Sequence, residues 1–116
     1  MIVMDYVDGE VLSADLIGTL SKDACQKIFA DVTAAVDLLH KQDIVFADLR
    51  RPNILVTKKP YRAKLVDFEW CGRHGVDQYP LSMSHNIPWP DGAAPGTTVM
   101  RAHDQHWLAQ LKRDLR

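Results

Sequence analysis

Three short apolar runs, each placed against an acidic or amide side chain, govern what this chain can fold into. Ile44-Val45-Phe46 leads toward Asp48, Ile54-Leu55-Val56 follows Asn53 directly, and Lys64-Leu65-Val66 leads into Asp67. Each run has the length and the apolar character of a strand. Lys58-Lys59-Pro60-Tyr61-Arg62 joins the second and third runs as the connection of a hairpin. Such a hairpin places the two acidic groups, Asp48 and Asp67, at strand ends that face one cleft. Asp commonly ends strands and caps turns, and for any one of these residues that role suffices. It does not account for the ordered set, with Asn53 five residues after Asp48 and Asp67 fourteen residues after Asn53. Hard oxygen donors in such a set suit a divalent cation that accompanies phosphate groups.

The segment Phe46-Ala47-Asp48-Leu49-Arg50-Arg51-Pro52-Asn53, taken with Asp67-Phe68-Glu69-Trp70, resembles the H-R-D-L-K-P-E-N catalytic loop and the D-F-G motif of the protein kinase-like superfamily. The resemblance implies ATP and Mg²⁺ as cofactors. By position Asp48 is the base that takes the acceptor hydroxyl's proton, and Asn53 and Asp67 are the Mg²⁺ ligands. Arg50 stands where serine/threonine kinases keep a Lys against the transferring phosphate, so its contact there is planar and bidentate. Ile2-Val3-Met4-Asp5-Tyr6-Val7-Asp8-Gly9-Glu10 resembles the fifth strand and hinge of the same family. That likeness puts Met4 at the gatekeeper position, the Asp5 carbonyl and the Val7 N–H against the adenine edge, and Leu55 among the nucleotide-binding residues. Without the family, the segment is an apolar strand ending in a Gly turn.

Two helices are expected. Ile28, Val32, Ala35, Val36 and Leu39 recur at three- and four-residue steps, giving one apolar stripe. Ser21 suits the N-cap, Asp23 the first turn, and His40-Lys41 the last. Residues 99–115 are helical again, with Trp107, Leu108, Leu111 and Leu115 on one face. His103-Asp104-Gln105-His106-Trp107-Leu108 resembles the D-x-W-x-L start of a later kinase helix, which implies that Asp104 accepts hydrogen bonds from the catalytic-loop backbone. A surface Asp near a helix start is the plainer alternative. Between the helices, residues 72–80 and 87–96 carry most of the Gly and Pro and read as loop, in the place of an activation and substrate-binding segment without an A-P-E motif. The expected fold class is α+β: a protein-kinase-like C-terminal lobe, mostly helical with a small β-hairpin and lacking the N-terminal lobe, with residues 1–116 forming one partial domain.

Departures from the family pattern shape the functional expectation. Phe46 and Ala47 replace His and Arg, so control by loop phosphorylation is not expected. Glu69 replaces the Gly of D-F-G, adding a carboxylate and losing freedom at φ > 0. D-F-E and a loop without H-R also resemble the choline kinases and aminoglycoside phosphotransferases, while the paired motifs look closest to fungal protein-kinase-like domains. The six glycines are scattered, and no Gly-rich phosphate loop, strand Lys or helix Glu of the family is found. The implied reaction is ATP γ-phosphoryl transfer to a hydroxyl, a protein Ser or Thr before a small alcohol, with no appreciable turnover from these residues alone. Two other readings stay open: a non-catalytic, pseudokinase-like module that binds a partner, and part of a small-molecule kinase.

Composition bears on partners. At 116 residues, 47% hydrophobic and 25% charged, the chain is one domain's worth of globular sequence. A net charge of −1 with dispersed Lys and Arg gives nucleic-acid binding no support. No run is long enough to span a bilayer, and the N-terminus does not read as a signal peptide. Cys25 and Cys71 lack metal spacing and suit free thiols, hence an intracellular setting, cytoplasmic or nuclear. His103 and His106 could join His74 or His85 around zinc, and His103-Asp104 resembles the dipeptide of HD-type phosphohydrolases, but neither set is completed by further ligands. Trp70, Trp89 and Trp107 suit core or loop anchors better than a binding surface.

Overall fold

The computed structural model describes residues 9–58 and 60–115. In chain order the elements are β1 (Glu10–Val11), α1 (Ala14–Thr19), α2 (Lys22–Lys41), β2 (Ile44–Val45), a 3-10 turn (Arg51–Asn53), β3 (Ile54–Thr57), β4 (Arg62–Leu65), β5 (Gly72–Arg73) and α3 (Arg101–Asp114).

Helix α2 starts where its sequence says it should. The Ser21 hydroxyl accepts the Ala24 N–H at 3.1 Å, meeting one of the orphan donors of the first turn, and His40 and Lys41 lie in the last turn. Its stripe of Ile28, Val32 and Val36 is fully buried against Phe46, Ile54, Val56, Leu108 and Leu111. The opposite flank is tied to the hairpin by Asp31, which accepts from Arg62 Nε at 2.9 Å and from the Ala63 N–H at 3.0 Å. Burial acts to raise the Asp31 carboxyl, but those two bonds and the Arg62 charge outweigh it and hold it below its ordinary value.

The expected hairpin is present, with Ile54 opposite Leu65 and Thr57 opposite Arg62. Its second strand runs from Arg62 to Leu65, two residues earlier than the apolar run suggests. Val66 extends the ladder by donating its N–H to the Asn53 carbonyl at 2.9 Å. The strand β1 adds antiparallel to β3, with Glu10 opposite Val56, so the sheet has three strands in the order β1-β3-β4.

Four further elements differ from the sequence expectation. The strand β1 and the six-residue helix α1, capped by Ser13, were not foreseen, being too short for any periodicity to register. Residues 72–73 lie in a stretch whose Gly content predicts loop, yet they form β5, paired antiparallel with β2 so that Val45 faces Gly72. Glycine is required there, because a Cβ would lie 2.6 Å from Asp77 Cβ. Helix α3 begins at Arg101, two residues later than expected. Helices are the largest regular component, but residues 74–100 form a long irregular segment whose only pairing among the described residues is a Gln78–Thr98 bridge. That segment is anchored by its own buried side chains, Tyr79, Met83 and Val99, which pack on Val45 and Ala47.

Candidate active site

The backbone ahead of Asp48 is strained. Ala47 has φ 74°, a left-handed conformation that a Cβ disfavours and that persists only when its surroundings dictate it. Asp104 supplies that constraint from the first turn of α3. Its carboxylate is wholly buried and accepts the Phe46 N–H at 2.8 Å, the Ala47 N–H at 2.9 Å and His40 Nε2 at 2.9 Å. One side chain thus joins the end of α2, the loop before Asp48 and α3. The backbone contact expected of Asp104 is present, and a surface role is excluded.

Asp48 itself is 7% exposed. Arg50 grips it with both arms of the guanidinium, Nε to Oδ1 at 2.5 Å and Nη2 to Oδ2 at 3.2 Å. The Arg50 guanidinium also lies over the Trp89 ring, 5.2 Å from its centroid. Trp89 is backed by Trp70 at 5.4 Å and Trp107 at 6.1 Å. The three tryptophans are therefore one packed row behind Arg50. Trp89 is a site residue that sequence reasoning missed, since nothing in Pro88-Trp89-Pro90 ties it to residue 50.

Asn53, also 7% exposed, donates Nδ2 to the Asp48 carbonyl at 2.7 Å, and the same carbonyl accepts the Arg50 N–H at 2.9 Å. With the nitrogen committed inward, the amide oxygen is the atom left for a ligand. Asp67 occupies the corner after β4 in the left-handed region, φ 63°, and among the described residues its exposed carboxylate receives only a long 3.4 Å contact from the Glu69 N–H. The strained residue of the D-F-E triplet is thus Asp67, and Glu69 is exposed without positive φ. Phe68 packs edge-on against Phe46 at 5.3 Å while remaining 54% exposed. Asn53 and Asp67 flank the Asn53–Val66 backbone bond at the open end of the hairpin. An amide oxygen and a carboxylate with open lone pairs are hard donors that fit Mg²⁺.

Of the nucleotide-contact set, Met4, Asp5 and Val7 lie outside the described residues. Leu55 is half-buried, on the face of β3 opposite the buried Ile54 and Val56. Burial, with the Asp104 and Asp67 charges, pushes the Cys71 thiol up to about 11. Among the described residues no group of three His, Cys, Asp or Glu side chains is placed to hold an ion. His103 is buried and accepts through Nδ1 from the Tyr79 hydroxyl at 2.9 Å, which anchors the irregular segment to α3.

The protein kinase domain family model matches residues 1–85, which include the 46–53 loop and the 67–69 corner. The chain belongs to the protein kinase family. A probable serine/threonine-protein kinase KIN1 homolog of Enterocytozoon bieneusi is 35% identical over 78 residues, covering 66% of this chain and 13% of that protein. The serine/threonine-protein kinase kin-29 of Caenorhabditis briggsae is 32% identical over 105 residues, 89% of this chain and 12% of that kinase. The serine/threonine-protein kinase Warts of Drosophila melanogaster is 37% identical over 71 residues, 60% of this chain and 6% of that kinase. The chain thus spans only about an eighth of the length of the first two kinases. Asp104, which fixes the kinase loop, lies beyond the residues matched by the family model. Among the described residues no helix is long and apolar enough to cross a membrane.

Proposed function

We propose that this chain contributes the catalytic loop and metal-binding corner of an ATP- and Mg²⁺-dependent protein kinase, corresponding to part of a C-terminal lobe, with a Ser or Thr hydroxyl as acceptor. The observation that carries the reading is the Asp48 carbonyl, which receives both the Asn53 amide and the Arg50 N–H. One peptide group thereby fixes the relative positions of the proposed base, the proposed phosphate contact and one proposed metal ligand.

In this reading Asn53 Oδ1 and the Asp67 carboxylate hold Mg²⁺. When bound, the ion neutralises phosphate charge and orients the γ-phosphate. Asp48 receives the acceptor hydroxyl's proton. Its two bonds from Arg50 keep it aimed, with the strained Ala47 held by Asp104 immediately before it. Arg50 stands on the same carboxylate and can turn an arm of its fork to a phosphate oxygen, its face resting on Trp89. The hinge contacts proposed for Met4, Asp5 and Val7, and that of Leu55, complete the nucleotide set.

Isothermal titration of the chain with ATP, with and without Mg²⁺, tests the reading. Metal-dependent binding should weaken by roughly tenfold or more in Asp67→Ala, the loss of one charged ligand. Binding that is indifferent to Mg²⁺ or to residue 67 in a folded chain refutes it and favours a partner-binding module.

A further inference from the structure

A cavity of about 390 Å³ opens beside Asp48, between the 3-10 turn and helix α3. It lies toward the low end of the ~300–1,000 Å³ typical of ligand sites. Its floor is apolar, formed by Leu49, Trp107 and Leu111, and its polar rim includes Arg50, Arg51 and Asp114. Arg50, which lines the cavity, also clamps Asp48, so a chain seated here meets the residue that holds the proposed base.

The two arginines are in different states. Arg50 is committed, with both arms on Asp48 and its face on Trp89. Arg51 is not. Its side chain is 37% exposed, and Asp114, its ion-pair partner among the described residues, stands 3.7 Å away, beyond hydrogen-bond reach. Asp114 in turn accepts from Gln110 Nε2 at 3.0 Å. A guanidinium has five N–H donors in a planar fork that matches a carboxylate. Trp107, in the floor of the same cavity, has a buried indole N–H with no acceptor among the described residues. The under-used capacity named here is thus of donor type and, at Arg51, positively charged.

We propose that this cavity is an acceptor-specificity site: the protein segment offered to Asp48 carries an acidic side chain next to its Ser or Thr, and Arg51 receives that carboxylate over the apolar floor. The proposal rests on the phosphotransferase reading for the identity of the hydroxyl, but not for the binding itself. An acidic neighbour is acceptor-only and complements Arg51, while a Lys or Arg at the same place meets Arg51 head-on. Asp114 is the internal competitor, holding Arg51 weakly until an acidic side chain replaces it. Arg51 is a specificity residue here and takes no part in proton or phosphoryl transfer.

Fluorescence anisotropy tests this on the full chain without nucleotide, using labelled Ser-centred peptides flanked by Glu, by Ala or by Lys. The Glu peptide should bind roughly tenfold more tightly than the Ala peptide and the Lys peptide more weakly than either, with the gap shrinking as salt rises. Arg51→Glu should reverse the order. Asp114→Asn, which removes the competitor and leaves Arg51 in place, should tighten the Glu peptide by roughly threefold. Circular dichroism establishes that both variants are folded, and Asp114→Asn stands as the second arm should Arg51→Glu not fold. The proposal is overturned by failure of every peptide to bind, by equal binding of the three, or by an acidic preference that survives Arg51→Glu. Since no nucleotide is present, a failed Mg²⁺–ATP titration counts against the phosphotransferase reading and leaves this result intact.

Discussion

Asp104 does at the residue scale what no backbone interaction could. Residues 46 and 47 turn too sharply to pair their N–H groups within a strand, and Ala47 pays for the turn with a left-handed φ. Two buried donors without an acceptor would each cost about 1–3 kcal/mol. The Asp104 carboxylate accepts both, and its third bond, from His40 Nε2, fixes its orientation. Asp104→Ala should therefore destabilise the chain by about 3–5 kcal/mol, as expected for removing one partner from a buried charged network. Urea unfolding gives the figure, and amide exchange at Phe46 and Ala47 should accelerate most. A loss below about 1 kcal/mol would mean that the loop holds its own shape.

At the element scale, α2 and the irregular 74–100 segment are held differently. The helix is held by burial: Ile28 is 0% exposed in the main core. Ile28→Ala should cost about 2–5 kcal/mol in chemical unfolding, the range for truncating a core aliphatic. The irregular segment adds to its buried Tyr79, Met83 and Val99 a polar tie, the Tyr79 hydroxyl on His103. Burial lowers the His103 pKa, more than the Asp104 charge and the Asp91 carbonyl raise it, with His106 and His74 adding to the fall. A His whose folded value lies below its unfolded value binds protons more readily when unfolded. Its contribution is thus complete above the ordinary value of about 6.5 and declines as pH drops from there through the folded value. Thermal melts between pH 7.5 and 5 should show stability falling with acid, and His103→Gln should flatten that slope. The lowered Asp31 acts in a separate window, complete above its ordinary 3.8 and lost as the pH falls further.

For the whole molecule, what the sequence disclosed follows from which interactions are local. Helix α2, its Ser21 cap and the β3–β4 hairpin were legible because periodicity, capping and turn composition act within a few residues. The pairing of β2 with β5 was not legible, since it joins residues far apart through a glycine that reads as loop. Trp89 behind Arg50 escaped likewise, as did the donor-rich cavity between the 3-10 turn and α3, for no short-range pattern links residue 50 or 51 to residues 89 and 114. Local chemistry thus points to the residues of the proposed phosphate and metal corner, while long-range packing decides how they are held and what lies beside them. The central claim is that Asn53 and Asp67 form one cation site for a nucleotide. NMR with Mn²⁺ as a paramagnetic stand-in for Mg²⁺, added with ATP, tests it most directly. The account predicts selective broadening of the amide signals around Asn53 and Asp67, abolished in Asp67→Ala. Broadening centred on other carboxylates, such as Asp31 or Asp114, or left unchanged by that substitution, would contradict it.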